Sequence, residues 1–391
     1  MTRTGVLIAG GGIAALETLL ALRALAPDRA DVTLLAPESD FVYRPLSVAE
    51  PFGGHARRYP LWEIARDTGA SLVADGLAEV RPGRHDIVCT SGAVLPYDKL
   101  VVATGGRALP AFAHALTFDD DSGVAFGALL ADLTQGYAHR VAFVVAPETL
   151  WVLPLYELAI QTARELWTLG VEGVRISLVT HESAPLEIFG EAGATVLGDL
   201  LGPEGIEFIG STRADVREGH VLLDPRGECL DVDRVVCLPR IEGRAVPGLP
   251  RDDAGFIEVD PHGRVPGTAD VLAAGDGTAY PVKQGGLATQ QADAVAATIA
   301  HDAGAGVEPE PFRPVLRGKL LTGGRDRFLS QDRAEATRGS ADALWWPPAK
   351  IAGRYLAPFL HGRDEQAALE RLQHLPHVPV EVRLPAPLLR T

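Results

Sequence analysis

Val6-Leu7-Ile8-Ala9-Gly10-Gly11-Gly12-Ile13-Ala14-Ala15 decides how the rest of the chain is read. A short apolar run, a glycine turn and the apolar stretch 14–25 predict a buried strand, a tight turn and a helix. The Gly-x-Gly-x-x-Ala spacing is that of the first half of a dinucleotide-binding βαβ unit. Gly10 permits the turn and Gly12 lets a pyrophosphate approach the backbone. The small Ala15 lets helix and strand pack closely. Phosphates then sit on unpaired N–H groups at the positive end of the helix.

At 391 residues the chain is too long for one ordinary core, and two or three domains are expected. Apolar residues make up 47% and charged residues 22%, a globular profile. The net charge of −15 comes with no basic cluster, which argues against nucleic acid and against anionic lipid. No signal-peptide pattern and no run of about 18 apolar residues occur, so a cytoplasmic protein is expected. Cys89, Cys229 and Cys237 form no Cys-x-x-Cys pair and no metal-ligand spacing. Neither a disulfide framework nor a metal site is expected.

Residues 31–35 read as a second parallel strand. An acidic side chain at this strand's end usually takes ribose hydroxyls. Ala36 holds that position, and Glu38 is either the nearest substitute or a solvated loop carboxylate. The aromatic and polar segment 41–46, which carries Arg44 and Pro45, has no helical or strand period. Residues 59–68 predict a short helix, and 71–74, 77–80, 86–90 and 93–95 predict an antiparallel meander carrying Cys89 as a core residue. The apolar strand that follows Tyr97 ends at Ala103-Thr104-Gly105, a turn suited to returning the chain to a ligand.

From 141 to about 237 the pattern repeats: strand 141–145, helix 155–169, strand 175–179, helix 192–201. Its turn, 146–157, has no glycine and two prolines, and Glu148 has the wrong sign for phosphate. Phosphate binding there is disfavoured. Strand 231–238 carries Cys237 in a packing role, Cys229 lies in a loop, and 246–260 leads back towards the first unit. Strand 269–274 ends in Gly275-Asp276, and helix 286–300 follows. Lys283 and the free amides at that helix start form a second anion-favouring site, although Asp276 alone reads as a helix cap and Lys283 alone as a surface charge. In the tail, Thr322-Gly323-Gly324 is a turn. Trp345-Trp346-Pro347-Pro348 is a rigid apolar wall for domain packing or a pocket. Residues 364–373 predict a short charged helix before proline-punctuated coil.

Together these motifs resemble the two-dinucleotide-domain flavoproteins, and the whole chain resembles the branch holding sulfide:quinone oxidoreductases and type II NADH dehydrogenases. The resemblance implies an α/β fold of two Rossmann-like three-layer domains, FAD- and NAD(P)-binding, the second inserted in the first. An FAD-binding domain would comprise 1–112 and 249–310, a degenerate NAD(P)-binding-like domain 113–248, and a small C-terminal interface or substrate-pocket region 311–391. It implies FAD, with Gly10, Gly12, Ile13 and Ala14 at the pyrophosphate and Glu38 at the adenosine ribose. Ala103, Thr104 and Gly105 would pass close to the cofactor, and Gly275-Asp276 would meet the ribityl chain. Lys283, the candidate catalytic residue, and the amides of Gly286, Leu287 and Ala288 would face the flavin's pyrimidine edge, where positive charge raises its potential. Arg44 and Pro45 would lie against the isoalloxazine ring.

Two departures qualify the resemblance. Sulfide oxidation in this branch needs two reactive cysteines, and residues 238–391 contain none. NADH dehydrogenases need a glycine turn in the second unit, and none is present. The expected function is flavin-mediated electron transfer from a small donor to a quinone-like or protein acceptor without a disulfide redox centre. The alternatives are an NAD(P)H-dependent flavoprotein reductase with atypical nicotinamide binding and a non-catalytic FAD-binding sensor. No nucleic acid partner or membrane span is expected, nothing supports peripheral membrane contact, and a homodimer stays open.

Overall fold

Strand Thr4–Ala9, the Gly10–Gly12 turn and helix α1 (Ile13–Leu25) open the computed structural model, which describes residues 3–119, 122–332 and 337–373. The chain returns through strand Ala30–Leu35, which pairs in parallel with the first from Thr4↔Ala30 to Ala9↔Leu35. Helix α2 (Leu61–Thr68) then carries it to Ser71–Val73. The finished sheet runs Val271–Ala273, Lys99–Val102, Thr4–Ala9, Ala30–Leu35, Ser71–Val73, every pair parallel. Ser71–Val73 was expected in the meander. It follows a crossover helix, so it adds to the parallel sheet as an edge strand instead. The antiparallel meander keeps Leu77–Arg81, Asp86–Cys89 and Val94–Pro96.

The chain leaves this unit through Arg107–Leu109 and returns through Arg240–Glu242, two strands paired antiparallel. Between them lie α3 (Gly123–Thr134), α4 (Leu153–Thr168) and α5 (Gly190–Leu201) around a second parallel sheet. Its order is Leu116–Thr117, Arg234–Cys237, Arg140–Val144, Arg175–Val179, Ile206–Ile209. The last strand of the first sheet, Val271–Ala273, comes only after this unit, so the second unit is inserted in the first. Each parallel sheet has helices on one face and an antiparallel meander on the other, giving three layers. Cys89 and Cys237 are buried. Cys229 lies on strand Glu228–Asp231 rather than in a loop, because that segment completes the antiparallel ribbon over the second sheet.

Helix α6 (Gly285–Asp302) packs beside α1. The tail then forms an antiparallel sheet of Leu316–Leu320, Arg327–Gln331 and Arg338–Ser340, which the sequence reading missed apart from its turn. Leu316, Leu320 and Leu329 are buried in the core of the second unit, together with Val48 and Leu287 of the first. Trp345 donates to the Ala349 carbonyl at 2.9 Å and packs edge-on to Phe328, whereas Trp346 is 78% exposed against His361. The paired tryptophans therefore do not form a continuous wall. Helix α7 spans Leu356–Gln373, beginning two turns before the predicted 364–373 because a side chain of α1 caps its start. The predicted terminal coil, 374–391, lies outside the described residues.

Candidate functional site

Gly10 has φ +134°, and its N–H donates to the Leu35 carbonyl. A Cβ there would lie 2.2 Å from the Ala103 oxygen, so only glycine lets the turn pass the end of strand Lys99–Val102. Gly12 is exposed, and a Cβ on it would meet nothing within 4 Å. The open side of the turn is therefore at Gly12. It is also the N-cap of α1, with no side-chain cap and no acidic residue in the first turn, so the helix presents unpaired amides. Glu38 is exposed and leans over the turn: a Cβ at Gly11 would lie 3.7 Å from its Oε2.

Three small residues from separate segments meet next to this turn. A Cβ on Gly275, at φ +86°, would sit 2.9 Å from Ala14 Cβ and 3.7 Å from Ala288 Cβ. Any larger side chain at these places would push α1 and α6 apart. Because they are small, both helix N-termini converge on the carboxyl edge of one sheet, where ligands of open α/β sheets bind. Gly105, at φ +68°, is beside Gly277 in the same cluster. Gly10, Gly12, Ile13, Ala14, Glu38, Ala103, Thr104, Gly105, Gly275 and Asp276 are thus brought together. The Ile13 side chain faces Gly285 and Ile351, which leaves its backbone for the turn.

Asp276 accepts the Gln284 amide, and burial pushes its carboxyl up to about 6 against the opposing charge of Lys283. Burial likewise pulls Lys283 down to about 8, with Asp276 and Asp252 resisting. The Lys283 ammonium donates to the carbonyls of Thr278 at 2.6 Å and Tyr280 at 2.7 Å and lies 3.5 Å from the Phe256 ring centroid. It is thus anchored to its own loop and acts on the site through its charge. The amides of α6 divide differently from the expectation. Gln284 caps the helix, its Oε1 accepting Leu287 N–H at 2.8 Å, and its carbonyl accepts the Leu287 and Ala288 amides. Leu287 and Ala288 therefore supply contact but no N–H. Gly285 and Gly286 keep the terminal amides that no intrahelical carbonyl reaches.

Arg44 and Pro45 begin the 3₁₀ turn Arg44–Phe52, with Arg44 exposed. The far end of that turn reaches the second unit, where Gln161 Nε2 donates to the Val48 carbonyl at 3.1 Å. Gln161 belongs to a polar stripe on α4 that the sequence reading missed. Glu157, fully buried, accepts the Leu321 amide at 2.7 Å and pairs with Lys350 at 2.5 Å. Arg164 donates to the Thr322 carbonyl at 2.7 Å and pairs with Glu204 at 2.6 Å. At positions i, i+4 and i+7 these residues read as a solvent face, but Glu157 and Arg164 hold the tail and Gln161 holds the 3₁₀ turn. Burial lifts Glu157 to about 7 against the Lys350 charge, and burial pulls Lys350 below the usual lysine range.

The acid at the end of the second unit's second strand is bonded within the protein. Glu182 follows strand Arg175–Val179, where a ribose-binding acid belongs. Its Oε2 accepts the Tyr156 hydroxyl at 2.8 Å and the Thr180 hydroxyl at 3.1 Å, and its Oε1 accepts the Glu187 amide at 3.0 Å. Tyr156, fully buried in the first turn of α4, thus satisfies this acid from within the protein. Tail residue Gly318 packs against Leu153 and Phe189 beside it. A cavity of about 320 Å³ in this unit is lined by His114, Asp132, Arg217 and Arg234, among others, all from the second unit. Arg234 there pairs with Asp132, and Arg217 with Asp215.

No family model matches the chain. It is 30% identical over 236 residues to an NADH dehydrogenase-like protein of Mycobacterium tuberculosis, a match covering 56% of this chain and 58% of that protein. The chain thus spans little more than half the length of the curated relatives it matches. The sulfide:quinone oxidoreductase of Aquifex aeolicus superposes with a TM-score of 0.79 at 19% identity, covering 95% of this chain and 92% of that one. A ferredoxin reductase from Rhodopseudomonas palustris gives 0.62 at 20%, covering 84% and 82%. The NDH2 of Plasmodium falciparum gives 0.57 at 15%, covering 71% and 64%. The chain has the two-dinucleotide-domain α/β fold that sulfide:quinone oxidoreductase, ferredoxin reductase and NDH2 share.

Proposed function

We propose that the chain is an FAD-dependent oxidoreductase that passes electrons between a small donor and a quinone-like or protein acceptor without a disulfide redox centre. The observation that carries this reading is the meeting of Ala14, Gly275 and Ala288, which aims two helix starts, Thr104-Gly105 and Asp276 at one sheet edge. The residues fit FAD. Gly10, Gly12, Ile13 and Ala14 would hold the pyrophosphate, Glu38 the adenosine ribose and Asp276 the ribityl chain. Thr104, Gly105, Arg44 and Pro45 would flank the ring. Bound there, FAD supplies reversible electron and hydride transfer. Lys283 adds positive charge that favours electron uptake. Burial pushes the Cys89 and Cys237 thiols up, away from thiolate reactivity, and Cys229 stands on a different sheet from either.

The curated relatives favour NADH as donor. The internally bonded Tyr156–Glu182 pair and the glycine-free turn speak against it. Anaerobic mixing decides between them: dithionite is expected to bleach the visible flavin band, while NADH and NADPH leave it unchanged. Rapid bleaching by either nucleotide overturns the choice of donor, and purified protein without flavin overturns the whole reading.

Lys283→Met tests the electrostatic role. Removal of the cation raises Asp276 further, so the carboxylate, ionised above about pH 6 in the native chain, forms only at higher pH. Flavin retention at pH 7 is expected to fall about tenfold, with the pH profile moved upward and the flavin's midpoint potential lowered. An unchanged potential would remove Lys283 from the redox site.

A further inference from the structure

One turn below the meeting of Ala14, Gly275 and Ala288, α1 and α6 face each other through two acids. Glu17 of α1 is fully buried. Its Oε1 accepts the Tyr355 amide at 2.8 Å and its Oε2 the Leu356 amide at 2.7 Å, and the Arg354 amide bonds to it as well. These amides are the unpaired start of α7, so a carboxylate from another helix serves as its cap. Asp293 of α6 hydrogen-bonds to Glu17, and two carboxylates so placed do not both ionise cheaply. Glu17 already accepts the backbone amides, so the shared proton sits on Asp293. The Asp293 carboxyl is pushed up to about 8 by burial first and the Glu17 charge second, while Arg354 opposes. Burial raises Glu17 too, and the three amides and Asp293 oppose that rise. Arg354 and Tyr355 are the other charged or titratable groups facing the pair.

The segment 350–355 straps these elements together. A Cβ on Gly353 would lie 2.8 Å from Glu17 Oε2 and 3.0 Å from Thr289 Cγ2, so the backbone passes directly over both helices. Ile351 donates its N–H to the Tyr43 hydroxyl at 2.8 Å, and its side chain covers Gly285. The strap thereby touches α6 at its first residue and α1 through Glu17.

We propose that Glu17 and Asp293 form a proton-operated latch for the C-terminal helix. With one proton between them they cap α7 and seat the strap on α1 and α6, and loss of that proton frees the start of α7. The sign follows from linkage. Asp293 titrates near 8 when latched, and lifting the strap admits water and moves it down towards the ordinary carboxylate range, about 4. The latched state holds the extra proton between those values. The opening equilibrium therefore rises with pH across the window, by up to about tenfold per pH unit, and levels above about 8. The latch rests on the fold and is independent of the flavin reading.

Hydrogen exchange of the amides of Tyr355, Leu356 and the next turn, corrected for intrinsic rate, measures opening in the full chain as purified. Amides of strand Thr4–Ala9 serve as the reference for global unfolding. Protection of α7 is expected to fall with pH and level above about 8 while the reference does not follow. Asp293→Asn keeps an N–H donor to Glu17 but does not titrate, so the rise that levels near 8 is expected to disappear. A flat native profile, or the same slope in Asp293→Asn, overturns the latch. Glu17→Gln removes the capping charge and is expected to lower protection about tenfold at every pH. Unchanged protection there also overturns it, and if that variant does not fold, Asp293→Asn decides alone.

Discussion

Gly10→Ala is expected to destabilise the chain by about 3 kcal/mol and to yield protein without bound flavin. Two costs add at this position. The new Cβ must adopt φ +134°, and it would sit 2.2 Å from the Ala103 carbonyl oxygen. That oxygen is backbone at the end of a central strand, held where the Ala103 amide donates to the Ala9 carbonyl, so it does not yield as a side chain would. Relief requires the turn to lift off the sheet, which moves the α1 amides away from the cluster at Gly275. Gly12→Ala separates the two contributions. Its Cβ meets open space, so the melting temperature of flavin-free protein is expected to stay within a degree or so, while flavin affinity falls about a hundredfold through contact with the ligand. Thermal melts and flavin absorbance of both variants check this. A Gly10→Ala protein with native stability would refute the close approach, and a Gly12→Ala protein that retains flavin would refute the site.

Lys350→Met is expected to be the most damaging substitution in the tail. The native pair is almost entirely out of water, with the Lys350 side chain 7% exposed and Glu157 fully buried. Removing the cation leaves a buried carboxylate with one amide for support, a change that typically costs about 3–5 kcal/mol. The pH dependence has a definite sign. Glu157 already titrates above its unfolded value, and loss of Lys350 raises it further. A carboxyl with a raised folded-state pKa contributes least destabilisation below its unfolded pKa, and the deficit grows as pH climbs through the folded value. The variant should therefore be closest to native near pH 5 and weakest above about pH 8. Replacing both partners, Glu157→Leu with Lys350→Met, is expected to recover most of the loss, because no buried charge remains. Urea unfolding midpoints at two pH values distinguish this pattern from simple loss of packing, which would leave both variants equally weak.

The parts legible in the sequence were those whose cause is local. The Gly10–Gly12 turn, the strand to Ala103 and the Gly275-Asp276 turn each declare a backbone need that only small residues satisfy, and the structure places them together. The missing glycines at 146–157 were equally plain. What stayed hidden depends on partners far along the chain. Ser71–Val73 looks like any short strand, and only the crossover through α2 makes it parallel. Glu157, Gln161 and Arg164 have the spacing of a solvent-facing stripe, and nothing in α4 itself reveals that the tail covers them. Helix α7 has no cap in its own sequence, since Glu17 supplies it from more than three hundred residues away. Residue type marks Lys283 as a positive charge, but its anchorage to Thr278 and Tyr280 depends on the loop conformation.

The first turn of α4 also changes how the second unit meets its surroundings. In a nucleotide-binding unit this turn faces solvent and fills by mass action. Here Leu153 and Glu157 face Gly318, Leu321 and Lys350 of the same polypeptide, an intramolecular ligand whose effective concentration is set by the connecting chain. Such a ligand cannot be diluted away. The tail and α4 therefore stay joined at any protein concentration, a contact that dilution cannot loosen.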